Sequence, residues 1–259
     1  MVKTFQNTGY WAVILGGSSG LGLASALKLA SEGMNICIVH RDSRAAMEKI
    51  SEEFENISKI TALMTFNLDA SRPENIERIA AALASANAKV RVLLHSIARG
   101  SLKGLTGSEA LCPDDLSITM ESMATSLLSW TQALHKNKIF ADDARVLAFS
   151  SEGSRRPMQH YAAVSMAKAA LEALIRSIAL EFRPFGIRAN CIQAGVTDTH
   201  SLRAIPGAQA ILEHSASRNP SGRNTRPEDI ANVVYLLCRD ESAWINGTVI
   251  CADGGESLQ

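Results

Sequence analysis

Tyr161 and Lys168, a phenol and an ammonium seven residues apart, are of types that could handle a proton beside a reacting oxygen. They lie in Tyr161-Ala162-Ala163-Val164-Ser165-Met166-Ala167-Lys168, within a stretch that predicts a helix over about 159–183. Seven residues turn a helix through about 700°, so both side chains share a face, about 10.5 Å apart along the axis; a four-residue spacing gives about 6 Å. A phenol in such a place can donate to an oxygen on which negative charge develops. A second constellation is Gly16-Gly17-Ser18-Ser19-Gly20-Leu21-Gly22, between an apolar run at Trp11–Leu15 and an amphipathic stretch. Glycines there permit a tight turn and close backbone approach to a pyrophosphate, and the free amides of a helix start meet the anion. A dinucleotide is the expected ligand, with Gly16, Ser18, Ser19, Leu21 and Gly22 in contact with it.

His40-Arg41-Asp42-Ser43-Arg44 follows the second apolar run. A carboxylate at that strand tip suits the ribose hydroxyl of NADH, whereas arginine suits the 2′-phosphate of NADPH. His40 and Arg41 favour NADPH; NADH stays possible, because Asp42 could neutralise one of these cations.

These groups need a frame. Short apolar runs at 10–15, 35–40, 59–66, 91–94, 145–149, 187–193 and 248–251 predict strands covered on both faces. Helices are predicted at about 20–32, 43–55, 72–86, 115–137, 159–183 and 227–239, with Ser71 capping the third and Arg226-Pro227-Glu228-Asp229 opening the last. Such alternation predicts a single α/β domain over 1–259, a doubly wound parallel sheet of the Rossmann type with helices on both faces. Two stretches interrupt it, a loop at 100–115 and a segment at 198–226. Within the latter, residues 202–217 carry Leu202, Ile205, Ile211 and Leu212 and are read as a mobile substrate lid, the alternative being a helix packed permanently on the domain.

With 259 residues, 26 basic and 26 acidic side chains and 46% apolar content, the chain can bury one large core and offers no charge footprint for nucleic acid or an anionic membrane. No apolar run is long enough to span a bilayer, and the cytosol is the expected compartment. Cys37, Cys112, Cys191, Cys238 and Cys251 form no CxxC; Cys37, Cys191 and Cys251 are expected as buried small hydrophobes. His95, His160, His200 and His214 lack metal-ligand spacing, so no metal is expected, and His160 is read as facing solvent.

The Gly16, Gly20, Gly22 spacing resembles the short-chain dehydrogenase/reductase family, and the likeness runs along almost the whole chain. It implies roles for Asn67 and Leu68 beside the adenine, for Ser96, Ile97 and Ala98 after the fourth strand, and for Val196, Thr197 and Thr199 after the sixth. The wide spacing of Tyr161 and Lys168 is similar to that of the enoyl-acyl-carrier-protein reductases, as is His95-Ser96-Ile97-Ala98. Ketoreductases of the family usually carry asparagine where Met123 stands. The likeness implies hydride delivery to C3 of an enoyl thioester on acyl-carrier protein or coenzyme A. Tyr161 would donate to the C1 oxygen and Lys168 would hold the nicotinamide ribose. Ser151 stands where a second tyrosine is common, and either takes part in the chemistry or shapes the pocket. A homo-oligomer, dimer or tetramer, is expected, with Ala162, Ala163, Ala167, Ala170 and Ala173 packing on other elements or on a second subunit. Rival expectations are a reductase of another carbonyl or enone in secondary metabolism, and a dinucleotide-binding regulator without catalysis.

Overall fold

Among residues 3–259, which the computed structural model describes, the chain runs β1 (Tyr10–Leu15), α1 (Gly20–Ser31), β2 (Asn35–His40), α2 (Arg44–Ser58), β3 (Leu63–Asn67), α3 (Pro73–Ser85) and β4 (Lys89–His95). It continues with α4 (Pro113–Met120), a π-helical turn (Glu121–Thr125), α5 (Ser126–Lys136), β5 (Phe140–Ser151) and α6 (Ala162–Glu181). β6 (Ile187–Ala194), α7 (His200–Arg203), α8 (Ala208–Arg218), α9 (Pro227–Cys238) and β7 (Val249–Ala252) complete it. All seven strands pair in parallel in the order β3-β2-β1-β4-β5-β6-β7, so the order reverses between β1 and β4. A crevice opens at such a reversal, beyond the carboxyl ends of the strands. The single Rossmann-type sheet is as the alternation predicts.

The apolar runs become strands because both faces of the sheet are covered. Successive side chains feed opposite layers: Ile14, Ile38 and Leu94 pack with Leu29 of α1, Phe54 of α2 and Val234 of α9. Leu15, Val39 and Leu93 pack on the other side with Ile79 of α3, Trp130 of α5 and Leu171 of α6. At the amino ends of the strands Arg91, Arg145 and Arg188 all reach the Asp143 carboxylate. Arg91 also donates to Cys238 O at 2.8 and 3.2 Å, and Arg145 to Leu237 O at 3.1 Å, fastening the sheet to the carbonyl end of α9.

Several boundaries differ from expectation. β3 starts at Leu63 rather than Lys59, because Ile50, Phe54 and Ile57 form a buried helical stripe that carries α2 to Ser58. Ser71 does not cap α3: its hydroxyl donates to Asp69 at 2.7 Å, and Arg72 takes the cap position before Pro73. α9 does open with Pro227 and an Asp229 carboxylate that accepts from the Arg226 amide at 2.9 Å. The helix expected over 115–137 is two helices joined by the π turn. Cys37 and Cys191 are buried, but Cys251 is exposed and Cys238 is buried in its place, since β7 is an edge strand with an open face. Ala163 and Ala167 pack within the protomer, whereas Ala173 is exposed.

Candidate active site

The Gly-rich turn folds against the neighbouring strand ends before any ligand is considered. Gly16 N donates to Val39 O and Ser96 N to Leu15 O, each at 2.8 Å, joining the tips of β1, β2 and β4. A Cβ on Gly22 would sit 2.2 Å from Gly16 O, so only glycine lets α1 start this close to the turn. Ser19 holds the cap position of α1 without making a cap hydrogen bond. A twelve-residue helix thus presents its first turn uncapped at the crevice, and that arrangement fits a pyrophosphate.

At the outer end of this groove the expected groups part company. Arg41 is half exposed and donates to Asp69 at 2.7 Å. Burial opposes ionisation of Asp69, but hydrogen bonds from Ser71 and Arg41 hold its carboxyl below the ordinary range. His40 does not join Arg41 at the surface: its side chain is 1% exposed, bonded to Asp42 at 2.8 Å and set edge-on to Phe54. Asp42 therefore answers His40, and Asp69 answers Arg41. Asn67 spends its amide on the Asp42 backbone, accepting from N and donating to O at 3.0 Å, and Leu68 is half buried against the core.

The inner end opens into a cavity of about 430 Å³. Ser151, Tyr161 and Lys168 line it together with Leu21, Ala98, Val196, Thr197 and Thr199, so most of the expected reacting-end residues meet there. Tyr161 is the residue before α6 rather than within it, with φ −118° and ψ 5°. His160, at φ 59°, breaks the helix one residue earlier and is exposed, so its outward placement comes from left-handed backbone and not from helical phase. Gly153 makes room for the phenol: a Cβ there would lie 2.6 Å from Tyr161 Cε1. Ser165 donates to Gly153 O at 2.5 Å and fixes that turn on α6.

Burial pushes the Tyr161 phenol above its ordinary value, with the neighbouring Ser151 hydroxyl working the other way. The two hydroxyls stop short of hydrogen-bond geometry, since Ser151 Oγ is buried without a partner. Lys168 is buried and donates to Phe149 O at 2.7 Å. Burial lowers its ammonium to about 8, against the opposing charge of Glu172. His95 is no base here: burial, and then Lys168, push it down to about 3, and its Nε2 pairs with Ser126 Oγ at 2.9 Å. No metal-binding cluster of His, Cys, Asp or Glu occurs among the described residues, and none of their helices is long and apolar enough to cross a membrane.

The rest of the wall is apolar. Met123, delivered by the π turn, stands with Leu102, Met158 and Val164, and Leu202, Ile205 and Ile211 come from the 202–217 segment. That segment forms α7 and α8; Leu212 is half buried but outside the cavity wall. Sequence reasoning passed over Gln193, Glu256 and Arg218. Gln193 and Glu256 line the same cavity, and Arg218 stands behind Glu152 and Glu256.

The family model described as enoyl-(acyl carrier protein) reductase matches residues 16–257. A 1-cyclohexenylcarbonyl-CoA reductase of Streptomyces collinus is 27% identical over 95% of this chain and 86% of its own. An NADH-dependent enoyl-[acyl-carrier-protein] reductase of Aquifex aeolicus is 26% identical over 81% of this chain and 78% of its own. The crystal structure of the Bacillus cereus enoyl-acyl carrier protein reductase, with NADP+ and indole naphthyridinone, superposes with a TM-score of 0.89 at 20% identity, covering 99% of both chains.

Proposed function

This chain belongs to the enoyl-(acyl carrier protein) reductase family of the short-chain dehydrogenases/reductases, and we propose that it is a nicotinamide-dependent oxidoreductase that saturates the C2–C3 double bond of an enoyl thioester. The carrier is acyl-carrier protein or coenzyme A, the setting fatty-acid synthesis in the cytosol, and the working form a homodimer or homotetramer. The observation that carries the reading is the placement of Tyr161 just ahead of α6, seven residues before Lys168, at one wall of a mainly apolar cavity.

When bound, the reduced nicotinamide supplies a hydride to C3, and negative charge develops on the C1 oxygen. Tyr161 donates a hydrogen bond and then a proton to that oxygen, and the enol becomes the saturated thioester by gaining a solvent proton at C2 as the proton on oxygen is given back. The raised pKa of Tyr161 keeps the proton on the phenol until charge develops. Lys168 has donors left over beyond the one held by Phe149 O, and these suit the ribose. Ser151, unpartnered beside the phenol, is free to share the oxygen. Met123 offers no proton relay of the ketoreductase kind, and Leu202, Ile205 and Ile211 cover the acyl tail. Gly16, Ser18, Ser19, Leu21 and Gly22 would hold the pyrophosphate, Ser96, Ile97, Ala98, Val196, Thr197 and Thr199 would meet the nicotinamide half, and Asn67 and Leu68 would meet the adenine.

NADPH remains the favoured cofactor through Arg41, although His40 is turned inward and gives no help. The test is oxidation of NADPH and NADH followed with crotonyl and acetoacetyl thioesters side by side. Crotonyl thioester should be consumed and acetoacetyl thioester left nearly untouched; the reverse order would overturn the reading.

A further inference from the structure

Arg218, the last residue of α8, is gripped from two directions. Its Nη1 and Nη2 both donate to the Glu152 carboxylate, Nη2 reaches Glu256 Oε1 at 2.8 Å, and Nη1 reaches Gln259 O at 3.2 Å. Glu256 in turn accepts from Val196 N at 3.0 Å. Arg218 and Glu256 side chains are 12% and 2% exposed. Glu152 lies between Ser151 and Gly153, the two residues against the Tyr161 ring. Glu152 and Glu256 both line the cavity; Arg218 stands behind them.

Two carboxylates in the wall of a site that gathers negative charge on oxygen would oppose the reaction and repel one another. Arg156 also touches Glu152, at 3.1 Å, but is half exposed, so water and salt weaken it. Arg218 is sheltered, and its planar fork meets two carboxylates at once, which an ammonium does less well. The Glu152 carboxyl is accordingly held below its ordinary range, first by the Arg218 hydrogen bond.

We infer that Arg218 is a positioning residue. By clasping Glu152 and Glu256 it sets the Ser151–Gly153 turn against Tyr161, holds the Val196 amide through Glu256, and offsets the charge of both carboxylates in the cavity wall. It also anchors the carboxyl end of the 202–217 segment, leaving any movement to the other end. The kinetic part of this inference rests on the enoyl reductase reading; the structural part does not.

The experiment compares Arg218→Gln, Glu152→Gln and the double variant, with folding checked by circular dichroism. We expect Arg218→Gln to lower kcat about tenfold, with a smaller change in KM. Glu152→Gln should cost less than about threefold, and the double variant should recover only part of the Arg218→Gln loss, because the carboxylate at 152 is then gone while Glu256 stays uncompensated. A folded Arg218→Gln with wild-type kcat, or a double variant no better than it, overturns the inference. Hydrogen exchange on the same proteins needs no substrate. Protection of 150–154 and 195–198 should fall together in Arg218→Gln, and unchanged protection overturns the inference even if the wild type reduces no thioester. Should Arg218→Gln not fold, Arg218→Lys carries the same exchange measurement with the same two outcomes.

Discussion

Two clusters at opposite ends of this sheet treat buried polar groups in opposite ways. At the amino ends of β4, β5 and β6, Arg91 and Arg145 are 1% exposed, and their donors go to Asp143, Asp240 and the last carbonyls of α9. At the carboxyl ends Lys168 is 6% exposed with one bond to Phe149 O, Ser151 has no partner, and Tyr161 faces a cavity. Buried polar groups are ordinarily satisfied, because an unpaired one costs free energy. The first cluster obeys that rule and holds the sheet to its helix. The second breaks it where a ligand can complete it. Satisfaction of buried polar groups thus separates the fastening cluster from the proposed reacting one.

Removing one arginine of the fastening cluster should have the largest effect on stability. Arg145→Met should destabilise the protein by about 3–5 kcal/mol, measured by urea unfolding, while leaving kcat of the folded enzyme unchanged. A loss of kcat at full stability would erase the distinction. Tyr161→Phe should do the reverse, lowering turnover about a hundredfold or more with stability and cofactor affinity nearly kept. Retention of most turnover, with chemistry rate-limiting, would remove Tyr161 as donor.

Lys168→Met sharpens the comparison through pH. The folded-state value of about 8 lies below the ordinary 10.5, so burial penalises the ammonium. Between those values the unfolded chain holds more protons, and wild-type stability rises with pH. Below about pH 8 the variant should therefore be more stable than wild type by about 1–3 kcal/mol, an advantage that fades by about pH 10.5, while its activity is lost. A variant less stable at pH 7 would mean that Lys168 fastens rather than reacts. Arg41→Glu should have a smaller effect, weakening NADPH more than NADH in a fluorescence titration; equal loss would leave Arg41 a surface charge paired with Asp69. Smallest in energy, hydrogen exchange over 202–217 should slow when cofactor and an enoyl analogue are added together. Strong protection in the free enzyme would make the segment a fixed wall.

What could be read in the residues beforehand follows how local the physics is. β1 and β2 have the bounds their apolar runs imply, because a strand buried on both faces needs such a run. The Gly-rich turn and the Tyr161–Lys168 spacing are also local, and they led to the cavity. The inward turn of His40 is not local, because it depends on Phe54 of α2. Arg218 was out of reach for the same reason: its partners lie 66 and 38 residues away and meet it only in the fold. Ser71 shows a local signal losing to a local rival, Asp69 two residues before it.

The central claim is that hydride arrives at the carbon two bonds from the thioester carbonyl. The most direct measurement is reduction of crotonyl thioester with cofactor deuterated at the transferring position of the nicotinamide, followed by NMR of the product. The product should be a saturated butyryl thioester with deuterium on C3 and a solvent-derived proton on C2. Deuterium on a carbinol carbon, with the double bond intact, would contradict it.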